Sequence, residues 1–158
     1  MKVPSLALFL AAMLMVTGLV INPVDAKDYE PGSETSFTLI KPLTIPSKAA
    51  SVFIQKKIAT RNEALIDQYH ANCRFEQYAL AIDDYIIEPD RFIVTDSRLS
   101  RDPVTRGTYE YITLFYLTAE KSNKKYTLEC QHWGEWSDRY LTREEIQLTV
   151  KEYFKIEP

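Results

Sequence analysis

The residues best able to do chemistry stand in two short strings, His70-Ala71-Asn72-Cys73 and Cys130-Gln131-His132, which hold both histidines and both cysteines of the chain. Thiolate and imidazole in a two-plus-two set are zinc ligands, and all four would have to converge within about 2.0–2.3 Å of one ion. Cys130 and His132 fall on a candidate strand, where alternate residues share a face about 7 Å apart, an awkward spacing for a closed tetrahedral site. The other chemistry is oxidation. Cys73 shares its strand parity with Phe75, and Cys130 with Leu128, so both sulphurs should point into a core. A single cysteine pair in an exported chain forms a disulfide, and closing so long a loop stabilises a fold by about 4 kcal/mol in the chain-entropy account. The expectation is a Cys73–Cys130 bridge. The alternatives are a metal site of His70, Cys73, Cys130 and His132, or a pair of free thiols. A bridge would carry the histidines close together without giving them a task.

No Gly-x-Ser-x-Gly turn offers a serine nucleophile to either imidazole. Ser122 and Ser137 sit in polar joins where serine is common. Asp83-Asp84, and Glu88 with Asp90, are the kind of carboxylate pair that glycoside hydrolysis uses. They flank Tyr85-Ile86-Ile87 and read otherwise as the solvated ends of a short strand. A hydrolase or metal-dependent enzyme using His70, His132 and these acids is therefore one alternative function. A third constellation is aromatic: Trp133 and Trp136, with Tyr109, Tyr111 or Tyr116, could offer a flat platform for a sugar ring or a peptide. Buried, the same tryptophans would plug the space between sheet and helix, the commoner use of so large a side chain. Trp133-Gly134-Glu135-Trp136-Ser137 resembles the tryptophan motif of thrombospondin type 1 repeats, but those repeats need several disulfides, and one cysteine pair cannot supply them.

The elements that must position these residues are mostly strands. Phe37 and Leu39 share one side of a first strand, and Val52, Ile54 and Ile58 one side of the next, with Lys56 and Lys57 marking its exit to water. Pro42 and Pro46 belong to a connection or an edge. Residues 60–72 read as loop, with Thr60 and Glu63 spaced for a capping box on one helical turn. Further strands are expected at 73–80, 91–99, 109–119 and 125–133, separated by polar joins at 101–107 and 121–124. Residues 111–117 are apolar on both parities, which places that strand centrally, covered on both faces. The period then changes. Thr142 with Glu145 forms a capping box, Leu141 with Ile146 has the spacing of a hydrophobic staple, and Ile146, Val150, Tyr153 and Phe154 make one helical stripe with Lys151 and Lys155 at its end. The fold class is mainly β: an antiparallel sandwich or partly open barrel of about six strands, with one C-terminal α-helix packed on the sheet.

The 158 residues carry a net charge of −3 with acids and bases interspersed, so there is neither the basic stripe of a nucleic-acid binder nor a polybasic membrane patch. Residues 6–21 are uncharged behind Lys2, and Val24 and Ala26 sit at the minus-three and minus-one positions of a cleavage site after Pro23. The organisation expected is a signal peptide at 1–26, a polar leader at 27–34 and one β-rich domain at 35–158. Retained, residues 4–24 are long enough to span a bilayer, which gives a membrane-tethered accessory domain as a further alternative. No cysteine lies near the cleavage site to accept a lipid.

The order Cys73-Arg74-Phe75-Glu76, Arg91-Phe92-Ile93-Val94-Thr95, Glu129-Cys130-Gln131-His132-Trp133-Gly134 and Leu141-Thr142-x-x-Glu145-Ile146 resembles small exported proteins of Gram-negative bacteria of unknown function. The resemblance covers most of the mature chain and implies an envelope setting, periplasmic or secreted. It carries no catalytic residue. With no assembled catalytic set and no cofactor motif, the function expected is a non-enzymatic binding or interaction module of the envelope, whose partner is an envelope protein or a glycan. The candidate ligand-binding residues are Trp133, Trp136, Tyr109 and Tyr111.

Overall fold

In the computed structural model, which describes residues 35–158, the chain is organised around the strand whose apolar residues fall on both parities. That strand, β8 (Thr108–Ala119), pairs antiparallel with β7 (Arg91–Thr105) on one side and β9 (Lys125–Gly134) on the other. Beyond β9 lie β5 (Asn72–Gln77), β3 (Ser51–Gln55) and β4 (Ile58–Thr60); beyond β7 lie β1 (Ser36–Leu39) and β10 (Phe154–Glu157). The result is one curled antiparallel sheet of eight strands, a half-barrel, so the mainly β antiparallel class with one C-terminal helix is as expected, and the strand count exceeds the expected six. A two-stranded ribbon of β2 (Leu43–Ile45) and β6 (Tyr85–Ile87), together with the helix α1 (Arg143–Val150), supplies side chains to the same core. The expected signal at 1–26 and leader at 27–34 lie outside the described residues.

All six expected strands are present in the large sheet, and the four additional ones are three or four residues long. Such strands carry too few alternations to register as a period, and only β6 at Tyr85–Ile87 is marked, by the acids at its ends. The ribbon strand β2 lies between Pro42 and Pro46, and β4 follows a tight reversal at Lys56 and Lys57, whose φ angles are both positive. Ile58 therefore leaves the line of Val52 and Ile54 and is 61% exposed. At the other hairpin the expected join shrinks to Arg106-Gly107, and β7 runs unbroken to Thr105, with Gly107 at φ +86°, a backbone state that glycine adopts without strain.

Register explains the core. Phe115 faces Leu128, and Phe75 faces Leu128 from the opposite flank, so alternate residues of β5, β8 and β9 converge on the concave side. Cys73 lies directly opposite Cys130, joined to it in a disulfide, and both residues are fully buried. The other parity of β8 is only half-covered: Ile112, Leu114 and Tyr116 line the convex face, where the Arg98 guanidinium sits 5.3 Å from the Tyr116 ring. The strand is central, as its composition implies, but its second face has no covering layer among the described residues.

At the C-terminus the capping box forms: the Glu145 N–H donates to Thr142 Oγ1, and the Thr142 N–H donates to Glu145 Oε2 at 2.7 Å. Leu141 and Ile146 are both buried, as a staple requires. The helix ends at Val150, however, and the expected continuation through Tyr153 and Phe154 is β10, paired with β1. Phe154 is buried against Phe37, Phe75 and Phe92 from the strand, and the open edge of β1 supplies hydrogen-bond partners that a further helical turn would forgo. Lys155 accordingly pairs with Glu157 at 2.9 Å and plays no part at the helix end. The turn at Glu63–Leu65 is a 3-10 helix capped by Asn62, whose side chain accepts from the Ala64 N–H, so the Thr60–Glu63 box does not form.

Candidate functional site

The sheet end at which β9 outruns β5 carries most of the residues singled out from the sequence. Asn72 pairs with Gln131 as the last rung between these strands, and the loop before β5 closes over what remains of β9. Four amides hold that loop. Gln55 Nε2 donates to the Asp67 carbonyl at 2.8 Å while its Oε1 accepts from the Asp67 N–H, and Gln68 Oε1 accepts from both Asn72 and Gln131. The Trp133 N–H donates to the Gln68 carbonyl at 2.7 Å. Tyr69 is thereby placed edge-on to Trp133, with ring centroids 5.6 Å apart.

The loop after β9 is fixed by different means. The Tyr111 hydroxyl donates to the carbonyls of Glu135 and Trp136 at 2.6 and 3.0 Å, and Asp138 Oδ2 accepts the Glu135 N–H at 2.7 Å. Gly134 leaves room for it, because a Cβ there would displace the Asp138 carboxylate. Trp136 stays 61% exposed, yet its ring is held: the Arg101 guanidinium lies 3.5 Å from its centroid and the Tyr109 ring stands at 5.2 Å.

The four expected platform residues are thus not one plane. Register puts Trp133 on the convex parity with Glu110, whose carboxylate accepts from the indole N–H at 3.2 Å. Tyr109 and Tyr111 belong to the concave parity, with Trp136 against Tyr109. Tyr111 is buried and serves as a strut, and neither tryptophan plugs the core between sheet and helix. The two indoles meet instead along an open cleft of about 720 Å³, shared with Tyr69, Arg106, Glu135 and Asp138. Tyr116 lies away from this cleft, on the convex face.

The histidines do come together, on the walls of an adjoining cavity of about 420 Å³ that shares Tyr69, Trp133 and Asp138 with the cleft. His70 Nδ1 lies 2.7 Å from the Asp67 carboxylate at the surface. His132 is stacked on Tyr111 at 5.3 Å, and burial pushes its pKa below the usual imidazole value, against the opposing pull of Asp138 and Glu145. The metal set is dissolved by the bridge: both sulphurs are bonded to each other in the core and cannot act as thiolates. Among the described residues no cluster of three His, Cys, Asp or Glu side chains is placed to hold an ion.

The acids at 83–90 are separate from the histidine cavity. Asp84 accepts the Ser47 N–H at 2.8 Å, and Asp90 accepts the N–H groups of Arg91 and Lys121, so both fix turns. Glu88 and Asp90 border a different cleft, of about 240 Å³. At the helix start the Arg139 guanidinium grips Glu145 bidentately and holds that carboxyl down at about 2.

Tyr69, Gln68 and Asp138 lie in loops, which carry no period, whereas Arg101, Gln55, Asn72 and Gln131 are polar strand residues whose partners only the fold supplies. Trp136 lies beyond the end of β9 at Gly134, so strand parity does not place it relative to Trp133. Comparison with family models, curated proteins and solved structures gave no match. Among the described residues no helix is long and apolar enough to cross a membrane.

Proposed function

We propose that this protein is an exported, non-enzymatic binding module of the bacterial envelope that takes a glycan into the cleft between Tyr69, Trp133 and Trp136. The observation that carries the reading is the held exposure of Trp136. A large aromatic side chain left in water is unfavourable, and here a strut, a carboxylate and a stacked guanidinium keep it there. Such preorganisation lowers the ordering cost of binding. Aromatic rings take up the apolar faces of sugars, and the neighbouring Glu135 and Asp138 offer acceptors for hydroxyl groups. The disulfide supports an oxidising compartment, periplasmic or extracellular.

The test is a titration with soluble oligosaccharides from envelope polysaccharides, followed by tryptophan fluorescence and calorimetry. Trp136→Ala should weaken binding at least about tenfold while leaving the unfolding midpoint nearly unchanged, because the side chain is mostly in water. Binding that survives Trp136→Ala, or a loss of stability that accounts for the whole effect, would remove the cleft from consideration.

A further inference from the structure

Among the described residues β7 has a long uncovered edge. β1 pairs with it only at Arg91–Ile93, and the Val94 N–H reaches back to the Thr35 carbonyl at 3.1 Å. From Asp96 to Asp102, no strand among the described residues pairs with the outer side. Irregularities bracket this run, between Val94 and Asp96 and between Pro103 and Thr105, and leave a regular edge between them. Bulges, prolines and charges guard natural edges against indiscriminate pairing. What matters is the order of the charges: Asp96, Arg98, Ser100 and Asp102 share one parity and are all exposed.

Two copies of one edge strand pair antiparallel about a two-fold axis, and residues equally distant from the axis face each other. With the axis at Arg98 or at Arg101, an arginine faces itself. With the axis at Leu99, Asp96 faces Asp102. At Ser97 the charges match, but the partner's Arg101 and Asp102 would run into the space that β1 occupies beside Arg91–Ile93. At Ser100, Arg98 faces the second copy's Asp102 twice, no like charges meet, and the second copy's β7 ends opposite Thr95, short of the rungs that β1 occupies. We infer that β7 is a self-complementary edge through which two copies of this chain join their sheets, with the axis at Ser100.

Sedimentation of the folded, disulfide-bonded protein over a concentration series tests this. A reversible dimer is expected. Arg98→Asp should raise its dissociation constant about tenfold or more, and Arg98→Asp with Asp102→Arg should restore it. Ser100→Cys should give a symmetric interchain disulfide with an added oxidant faster than Asp96→Cys does. Circular dichroism checks that each variant folds. A chain that stays monomeric at millimolar concentration overturns the inference. So does a dimer indifferent to charge reversal, or one that cross-links through Ile112→Cys on the convex face in preference to Ser100→Cys.

Discussion

Replacing both Cys73 and Cys130 by alanine measures what the bridge contributes beyond the pairing around it. The cysteines are 57 positions apart. Releasing a loop of that length gives the unfolded chain about 4 kcal/mol of extra conformational freedom in the chain-entropy account. The folded state loses little else, because β5 and β9 keep their register through Phe75 and Leu128, both fully buried. The variant should therefore keep its far-ultraviolet dichroism. In urea, with a slope of about 2 kcal/mol per M for a domain of this size, the midpoint should fall by about 2 M. The slope itself should rise, since an uncrosslinked chain exposes more surface when it unfolds. A midpoint shift below about 0.5 M with an unchanged slope would refute the reasoning, because it would mean the unfolded chain is already held together without the bridge.

Four further outcomes are expected. His132 is held below the usual imidazole pKa by burial, so its proton binds the unfolded chain more readily; stability should be intact above the unfolded value of 6.5 and decline as pH falls below it. His132→Phe, which can keep the stack on Tyr111, should flatten that decline in urea midpoints taken across the range. Glu145 titrates at about 2 when folded, against 4.5 as its ordinary value, so its contribution is present above 4.5 and lost towards pH 2; Glu145→Gln should remove this part of the acid transition. Thr142→Ala should cost about 1 kcal/mol by thermal or urea melting, because it opens the cap. Gln55→Ala should cost about 1–3 kcal/mol by orphaning the backbone groups it bonds and should speed amide hydrogen exchange in residues 67–71; unaltered exchange there would show that Gln55 does not hold the Tyr69 loop.

Most of the sheet could be read from alternation, and the helix start from its cap, because these signals are local. Phe154 shows where locality fails. Its position on the stripe of Ile146 and Val150 satisfies a helix, and only the unpaired edge of β1, far away in sequence, makes a strand the better solution. Ile112, Leu114 and Tyr116 mislead in another way: apolar composition on both parities marks a central strand, but it does not reveal whether a second layer exists to cover it. At the site, the tryptophans announced themselves by type, whereas Arg101 and Tyr69 did not, since a guanidinium in a hairpin arm and a tyrosine in a loop acquire meaning only from what folds against them.

The contact between Thr38 and Glu157 spans 119 positions. It joins the first strand of the domain to the last, so the outermost ladder cannot close until residues 154–157 are free to reach β1. Topologies closed by such distant partners fold slowly. A chain stalled short of that point would carry β1 with one edge unpaired and Phe37 without its neighbour Phe154, so the core would close last at this flank of the sheet.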